Sequence, residues 1–117
     1  RVFVSEHYRA ALVLTEEVFA DGERVPHLDK FAVAHDAQGE GLGKAAWQAM
    51  RAVVPKLFWR SRRDNPVNEF YLTQADGCIK GERWNVYWYG LETYSAIAEA
   101  VDHCRARPAT LKEHAHG

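Results

Sequence analysis

The chain has 117 residues, 47% hydrophobic and 12% aromatic, with 15 Lys and Arg against 16 Asp and Glu for a net charge of −1. That is enough apolar material for one domain with one core, and the even charge balance excludes a chain whose whole surface serves nucleic acid or membrane. Cys78 and Cys104 stand apart with no C-x-x-C or zinc spacing, and the six histidines form no H-E-x-x-H pattern, so a reducing compartment such as the cytoplasm and no metal are expected.

In chain order, residues 2–5 and 10–16 read as strands, and the polar loop Asp21-Gly22-Glu23 leads to a third strand over residues 28–34, an antiparallel meander. A glycine-rich turn from Gln38 to Lys44 then runs into a helix whose expected apolar face is Leu42, Ala46, Ala49, Met50 and Val53. Residues 56–60 read as the next strand. Strand, helix and strand in that order imply a parallel pair with a right-handed crossover. Asp64-Asn65-Pro66 is expected to cap and open a short helix reaching about Tyr71, and Asp76-Gly77 marks a turn. Residues 83–89 form an aromatic strand whose Trp84, Tyr87, Trp88 and Tyr89 are assigned to the core. From Leu91 to Pro108 the pattern is helical, with Ile97, Ala100, Val101 and Cys104 on one face. His114 and His116 read as solvated tail. There is no signal-peptide pattern and no apolar run long enough to span a membrane.

The glycine turn carries the clearest chemistry. Backbone N–H groups gather partial positive charge at a helix N-terminus, where a pyrophosphate can sit, and glycine allows the close approach. A P-loop needs four residues between its first glycine and Gly-Lys, followed by Ser or Thr, whereas Gly39 to Gly43-Lys44 leaves three and Ala45 follows. A dinucleotide fingerprint fails as well, because Gly41 is followed by Gly43. Gln38-x-x-Gly41-x-Gly43 instead resembles the pyrophosphate signature of the GNAT superfamily of acetyltransferases. An ordinary glycine-rich strand-to-helix loop is the alternative. The stretch Lys56 to Arg63 adds four cations with no acid, and Arg60 and Arg62 point to the same side of a strand. It suits capture of a small anion; a solvated basic edge is the plainer reading, and nucleic acid the weaker third.

Leu28-Asp29-Lys30-Phe31, the glycine turn, Phe58-Trp59-Arg60-Ser61-Arg62, Asn65-Pro66 and Trp88-Tyr89-Gly90-Leu91 together resemble the acetyltransferase domain of vertebrate-like N-acetylglutamate synthase, a family that includes bifunctional synthase/kinase enzymes. The likeness runs from about Val2 to Leu91. It implies an α/β GNAT-type fold, a mixed and mostly antiparallel sheet with one parallel strand-helix-strand unit, whose usual opening elements have no counterpart here. Since the chain starts at Arg1, it is expected to be part of a longer polypeptide with an upstream amino-acid kinase domain, and homo-oligomeric.

The resemblance further implies that acetyl-CoA is held by Phe31, Ala32, Val33, Gln38, Gly39, Gly41, Leu42, Gly43 and Lys44; as residues, Glu40 and Lys44 beside the cradle read as solvent-facing, with Lys44 near a phosphate. Lys30, Arg60, Arg62 and Asn65 are implied to contact L-glutamate, the backbone near Phe31 to polarise the acetyl carbonyl, and Tyr71 to serve catalysis; a further substrate-contacting lysine of the family lies upstream of this chain. The chemistry agrees. Glutamate carries two carboxylates, which fixed cations match, and arginine grips a carboxylate bidentately. A strand N–H at Phe31 suits a developing oxyanion, and a tyrosine suits protonation of the departing thiolate. Asn65 has no basic atom and is expected to position the amine or a water. Tyr71 has an alternative role as a packing aromatic. The function expected is acetyl transfer from acetyl-CoA to the α-amine of glutamate, with a non-catalytic regulatory module of acetylglutamate kinase as the alternative.

Overall fold

A computed structural model describes residues 1–4, 9–34 and 41–108. They form two compact units, the first Arg1–Pro55 and the second beginning at Lys56. Ser5, His114 and His116 lie outside the described residues.

The first unit is a meander and a helix. β1 (Val2–Val4), β2 (Ala10–Val18) and β3 (Arg24–Val33) pair antiparallel in chain order, as their alternation predicts. Ala10, Leu12 and Leu14 of β2 are buried in alternation, and helix α1 (Leu42–Val53) packs on this sheet. The helix buries Ala46, Trp47 and Met50, with Val54 just beyond its end, whereas Ala49 and Val53 are exposed. The expected face was therefore turned by about one position. Trp47, absent from the expected face, is its centre, with no exposed surface. A large aromatic fills the stripe that small alanines cannot.

One irregularity in this sheet shapes the candidate site. Val13 pairs with Lys30 but Leu14 pairs with Leu28, so Asp29 is an extra residue, a β-bulge. Side chains alternate faces along a strand, and the extra residue shifts the alternation by one. Phe31, opposite Leu12, then shares the face of Leu28 and meets the Trp47 ring at 5.6 Å. Lys30 is turned to the other face and is exposed.

In the second unit, β6 (Trp84–Tyr89) is flanked by β4 (Leu57–Arg62) and β5 (Gly77–Lys80), both antiparallel to it. β5 was not expected; the glycine at its start read as a turn alone. Leu57, Trp59 and Ser61 point to one face of β4, and Phe58, Arg60 and Arg62 to the other. Helix α2 (Asn68–Gln74) lies on the first, where Tyr71 meets Trp59 edge-on at 5.5 Å, and Trp59 stacks on Tyr87 at 5.5 Å and 15°. Helix α3 (Tyr94–Ala106) lies on the second, where His103 meets Phe58 edge-on. Ala100, Val101 and Cys104 of α3 are buried as its periodicity predicts, with Ile97 half-buried. Its start is later than expected, at a Thr93 cap whose hydroxyl accepts from the Ala96 N–H at 3.1 Å. Neither cysteine forms a disulfide, and no described helix is long and apolar enough to cross a membrane.

Candidate active site

The residues singled out for acetyl-CoA lie in the first unit. Gly41 is the N-cap of α1, with φ 75° and ψ 8°, a left-handed conformation that side-chain-bearing residues reach only with strain. Among the described residues no side chain caps this end; the first turn carries no acid, and Gly41 accepts the first helical hydrogen bond from Ala45. The first N–H groups of a helix have no acceptor within the helix itself and point out along its axis. A Cβ added at Gly41 would stand in open space, whereas one at Gly43 would come within 2.9 Å of Val33 Cγ2 and 3.3 Å of Phe31 Cζ. The two glycines therefore do different work. Gly41 supplies the turn and room above it, and Gly43 lets the first helical turn settle on the end of β3. Phe31, Ala32 and Val33 are half-buried beside it, and Lys44 is exposed. Gln38, Gly39 and Glu40 lie outside the described residues, as does the side chain of Leu42.

The remaining candidates lie in the second unit, apart from Lys30. Arg62 is half-buried, with its guanidinium 5.9 Å from the centre of the Trp84 ring and a long 3.9 Å pair to the exposed Asp64; such an exposed pair contributes little. Arg60 is on the same side, as the strand spacing predicts, but is otherwise engaged. Its guanidinium lies 3.8 Å over Trp84 and donates to the carbonyls of Cys104, Arg107 and Pro108. Trp84 is thus a half-buried platform for cations rather than the buried core residue expected, and Trp88 is half-buried too, while Tyr87 and Tyr89 are buried.

Asn65 does not cap α2 through its first helical turns. Its Oδ1 accepts from the Val67 N–H at 3.0 Å, closing an Asx turn, and Val67 rather than Pro66 precedes the helix as its cap. With Oδ1 engaged, the side chain offers a ligand its Nδ2 donors. Asn68, which nothing in the sequence singled out, holds this loop by donating from Nδ2 to the carbonyls of Arg62 at 2.9 Å and Arg63 at 3.1 Å.

Tyr71 is buried, 6% exposed, against the stacked rings of Trp59 and Tyr87, the latter 5.4 Å away. Burial, and secondarily the Tyr87 phenol, push its pKa well above the ordinary tyrosine value. Tyr87 is itself raised, first by burial, although a hydrogen bond from Asn85 Nδ2 at 3.3 Å works the other way.

The fold is the α/β fold of the GNAT-type acyltransferases. A solved structure of Arabidopsis thaliana Naa50 in complex with the bisubstrate analogue CoA-Ac-MVNAL matches at a TM-score of 0.53 and 13% identity, over 70% of this chain and 65% of its own, a likeness of fold alone. The family is narrower. The model of NAT, the N-acetyltransferase of N-acetylglutamate synthase, matches residues 1–107, and the chain belongs to this family. Among its relatives, an "Acetylglutamate kinase" of Xanthomonas campestris is 55% identical over 95% of this chain. The mitochondrial N-acetylglutamate synthase of Mus musculus is 39% identical over 92% of it. The chain spans 26% of the first relative's length and 20% of the second's.

Proposed function

We propose that this chain, within its full-length protein, transfers the acetyl group of acetyl-CoA to the α-amine of L-glutamate, giving N-acetyl-L-glutamate and CoA. The observation that carries this reading is the glycine turn: a helix start with no side-chain cap among the described residues, a left-handed Gly41 with open space above it, and a Gly43 that only a missing side chain lets close on β3. An anionic pyrophosphate suits the exposed N–H groups and the positive end of the helix, and Lys44 adds a cation beside them. The acetyl end then lies along Phe31, Ala32 and Val33, just past the bulge. There the Phe31 N–H is the proposed donor to the oxygen that gains charge as the amine attacks.

Lys30, Arg62 and the Nδ2 of Asn65 are the proposed carboxylate partners of glutamate, and Arg60 serves them indirectly. Attack by the neutral amine forms the C–N bond and collapse breaks the C–S bond. The thiolate takes the Tyr71 proton, the new amide nitrogen gives its extra proton to solvent, and the phenolate regains one from solvent, so that the sum is amide and free thiol. Orientation supplies much of the rate. An amino-acid kinase domain in the same chain, a homo-oligomeric state and a cytoplasmic location complete the proposal. The second reading, a non-catalytic module of a kinase, is favoured by one observation, the name of the 55% identical relative.

Gly41→Val tests the cradle. It forces a β-branched residue into a left-handed conformation and fills the space above the turn, so acetyl-CoA affinity measured by calorimetry on the full-length protein should fall about 10-fold or more. Unchanged affinity in a folded Gly41→Val protein contradicts the assignment.

A further inference from the structure

Arg60 is held on two sides in the second unit. Its Nη1 donates to the Cys104 carbonyl at 2.8 Å and to the Arg107 carbonyl, its Nη2 donates to the Pro108 carbonyl at 2.9 Å, and its plane lies 3.8 Å over the Trp84 ring. The last carbonyls of an α-helix have no donor within the helix and form the negative end of its dipole. A planar fork with several fixed donors serves such a cluster, and its face stacks on an aromatic ring at the same time. To turn the Nη1 end of its fork to a substrate carboxylate, Arg60 has to leave these partners. Arg62 does not: it reaches toward the same ring from 5.9 Å and has a long exposed pair with Asp64.

We infer that Arg60 is a positioning residue, which ties the C-terminal end of α3 to β4 and fixes the Trp84 ring beside which Arg62 presents its charge to the substrate carboxylate. The kinetic part of this inference rests on the glutamate acetylation proposed above; the clamp itself does not. The register of the sheet makes the linkage direct. Arg62 lies opposite Trp84 and Arg60 opposite Val86 on the paired strand, so the ring stands within reach of both cations. Loss of Arg60 frees the end of the helix and the ring together, and Arg62 loses its seat.

The test compares Arg60→Ala, Arg60→Lys, Trp84→Leu, Arg62→Ala and the Arg60→Ala/Arg62→Ala double variant in the full-length protein, reading melting temperature and both KM values. Lysine keeps the charge but not the fork, so it can support a carboxylate contact and cannot serve three carbonyls and a ring. Arg60→Lys and Arg60→Ala are therefore expected to melt earlier by similar amounts and to raise the glutamate KM modestly, about 3- to 5-fold. Trp84→Leu should raise it by a similar factor, and the effect of Arg60→Ala should vanish in the Arg62→Ala background. Arg62→Ala alone should keep the melting temperature and raise the glutamate KM about 10-fold or more. The inference is overturned if Arg60→Ala melts like the unaltered protein and raises the glutamate KM by that larger factor, with rescue by lysine and additivity with Arg62→Ala. If Arg60→Ala does not fold, Arg60→Lys and Trp84→Leu decide the matter. If the unaltered protein releases no thiol with glutamate, the proposed reaction fails while the melting comparison still tests the clamp: equal losses in the alanine and lysine variants uphold it, and unaltered melting in both overturns it.

Discussion

Tyr71→Phe should lower kcat about 10- to 100-fold while leaving both KM values near those of the unaltered protein. The substitution keeps the ring, and with it the contacts to Trp59 and Tyr87 that bury the side chain. It removes only the hydroxyl, the proposed source of the proton for the departing thiolate. Solvent partly replaces that source, which bounds the loss and should shrink it at low pH. The raised pKa of Tyr71 sets a second expectation. A phenol held above its usual value of about 10 keeps its proton throughout an ordinary assay, so its ionisation should give no falling limb in the kcat profile below about pH 10. The same shift bears on stability with a definite sign. The unfolded chain ionises this tyrosine more readily than the folded one, so the unaltered protein should lose stability relative to Tyr71→Phe as pH rises past about 10. A tyrosine that only packs would give near-normal kcat in the phenylalanine variant.

Gly43→Val should act on both affinity and stability. The first carbon of the new side chain already comes within 2.9 Å of Val33 Cγ2 and 3.3 Å of Phe31 Cζ, so the start of α1 must lift from the end of β3. Overpacking of this kind costs roughly 1 to 3 kcal/mol, read as a lower unfolding midpoint. Lifting the helix start also moves the N–H groups proposed to receive the pyrophosphate, and acetyl-CoA affinity should fall about 100-fold or more, beyond the effect of Gly41→Val. Gly43→Ala, which adds only the single carbon, should fall between. Normal acetyl-CoA binding in a destabilised Gly43→Val protein would leave Gly43 a packing residue with no part in the cradle.

The order of strands and helices was legible because alternation and helical periodicity are local properties of the sequence, and the meander of β1 to β3 follows from them. Three features were not. The bulge at Asp29 exists only in the register of β3 against β2, and plain alternation would put Lys30 rather than Phe31 on the face of Leu28. The buried stripe of α1 was misplaced because alanines at 45, 46 and 49 give the hydrophobic pattern little direction, and Trp47, which decides it, was not read as part of the face. The strand β5 is short and begins with glycine, so turn chemistry hid it.

The candidate site shows the same division. The glycine turn could be read from spacing because its chemistry belongs to the backbone, and the cation pair at 60 and 62 could be read from the two-residue period of a strand. What the sequence could not convey was where each guanidinium spends its donors. Two arginines alike in sequence differ in structure, one reaching the carbonyls at the end of a helix 44 to 48 residues away and the other left near an exposed aspartate. The platform between them, Trp84, is visible only once β4 and β6 are paired.

The central claim is that glutamate is the acceptor of the acetyl group. Release of free thiol from acetyl-CoA by the full-length protein, followed with and without L-glutamate, tests it most directly. Thiol release that depends on glutamate, saturates with it, and yields one N-acetyl-L-glutamate per thiol is the result expected. Release that is absent or indifferent to glutamate, in a protein that still binds acetyl-CoA, would contradict the account and leave the kinase-associated module as the better reading.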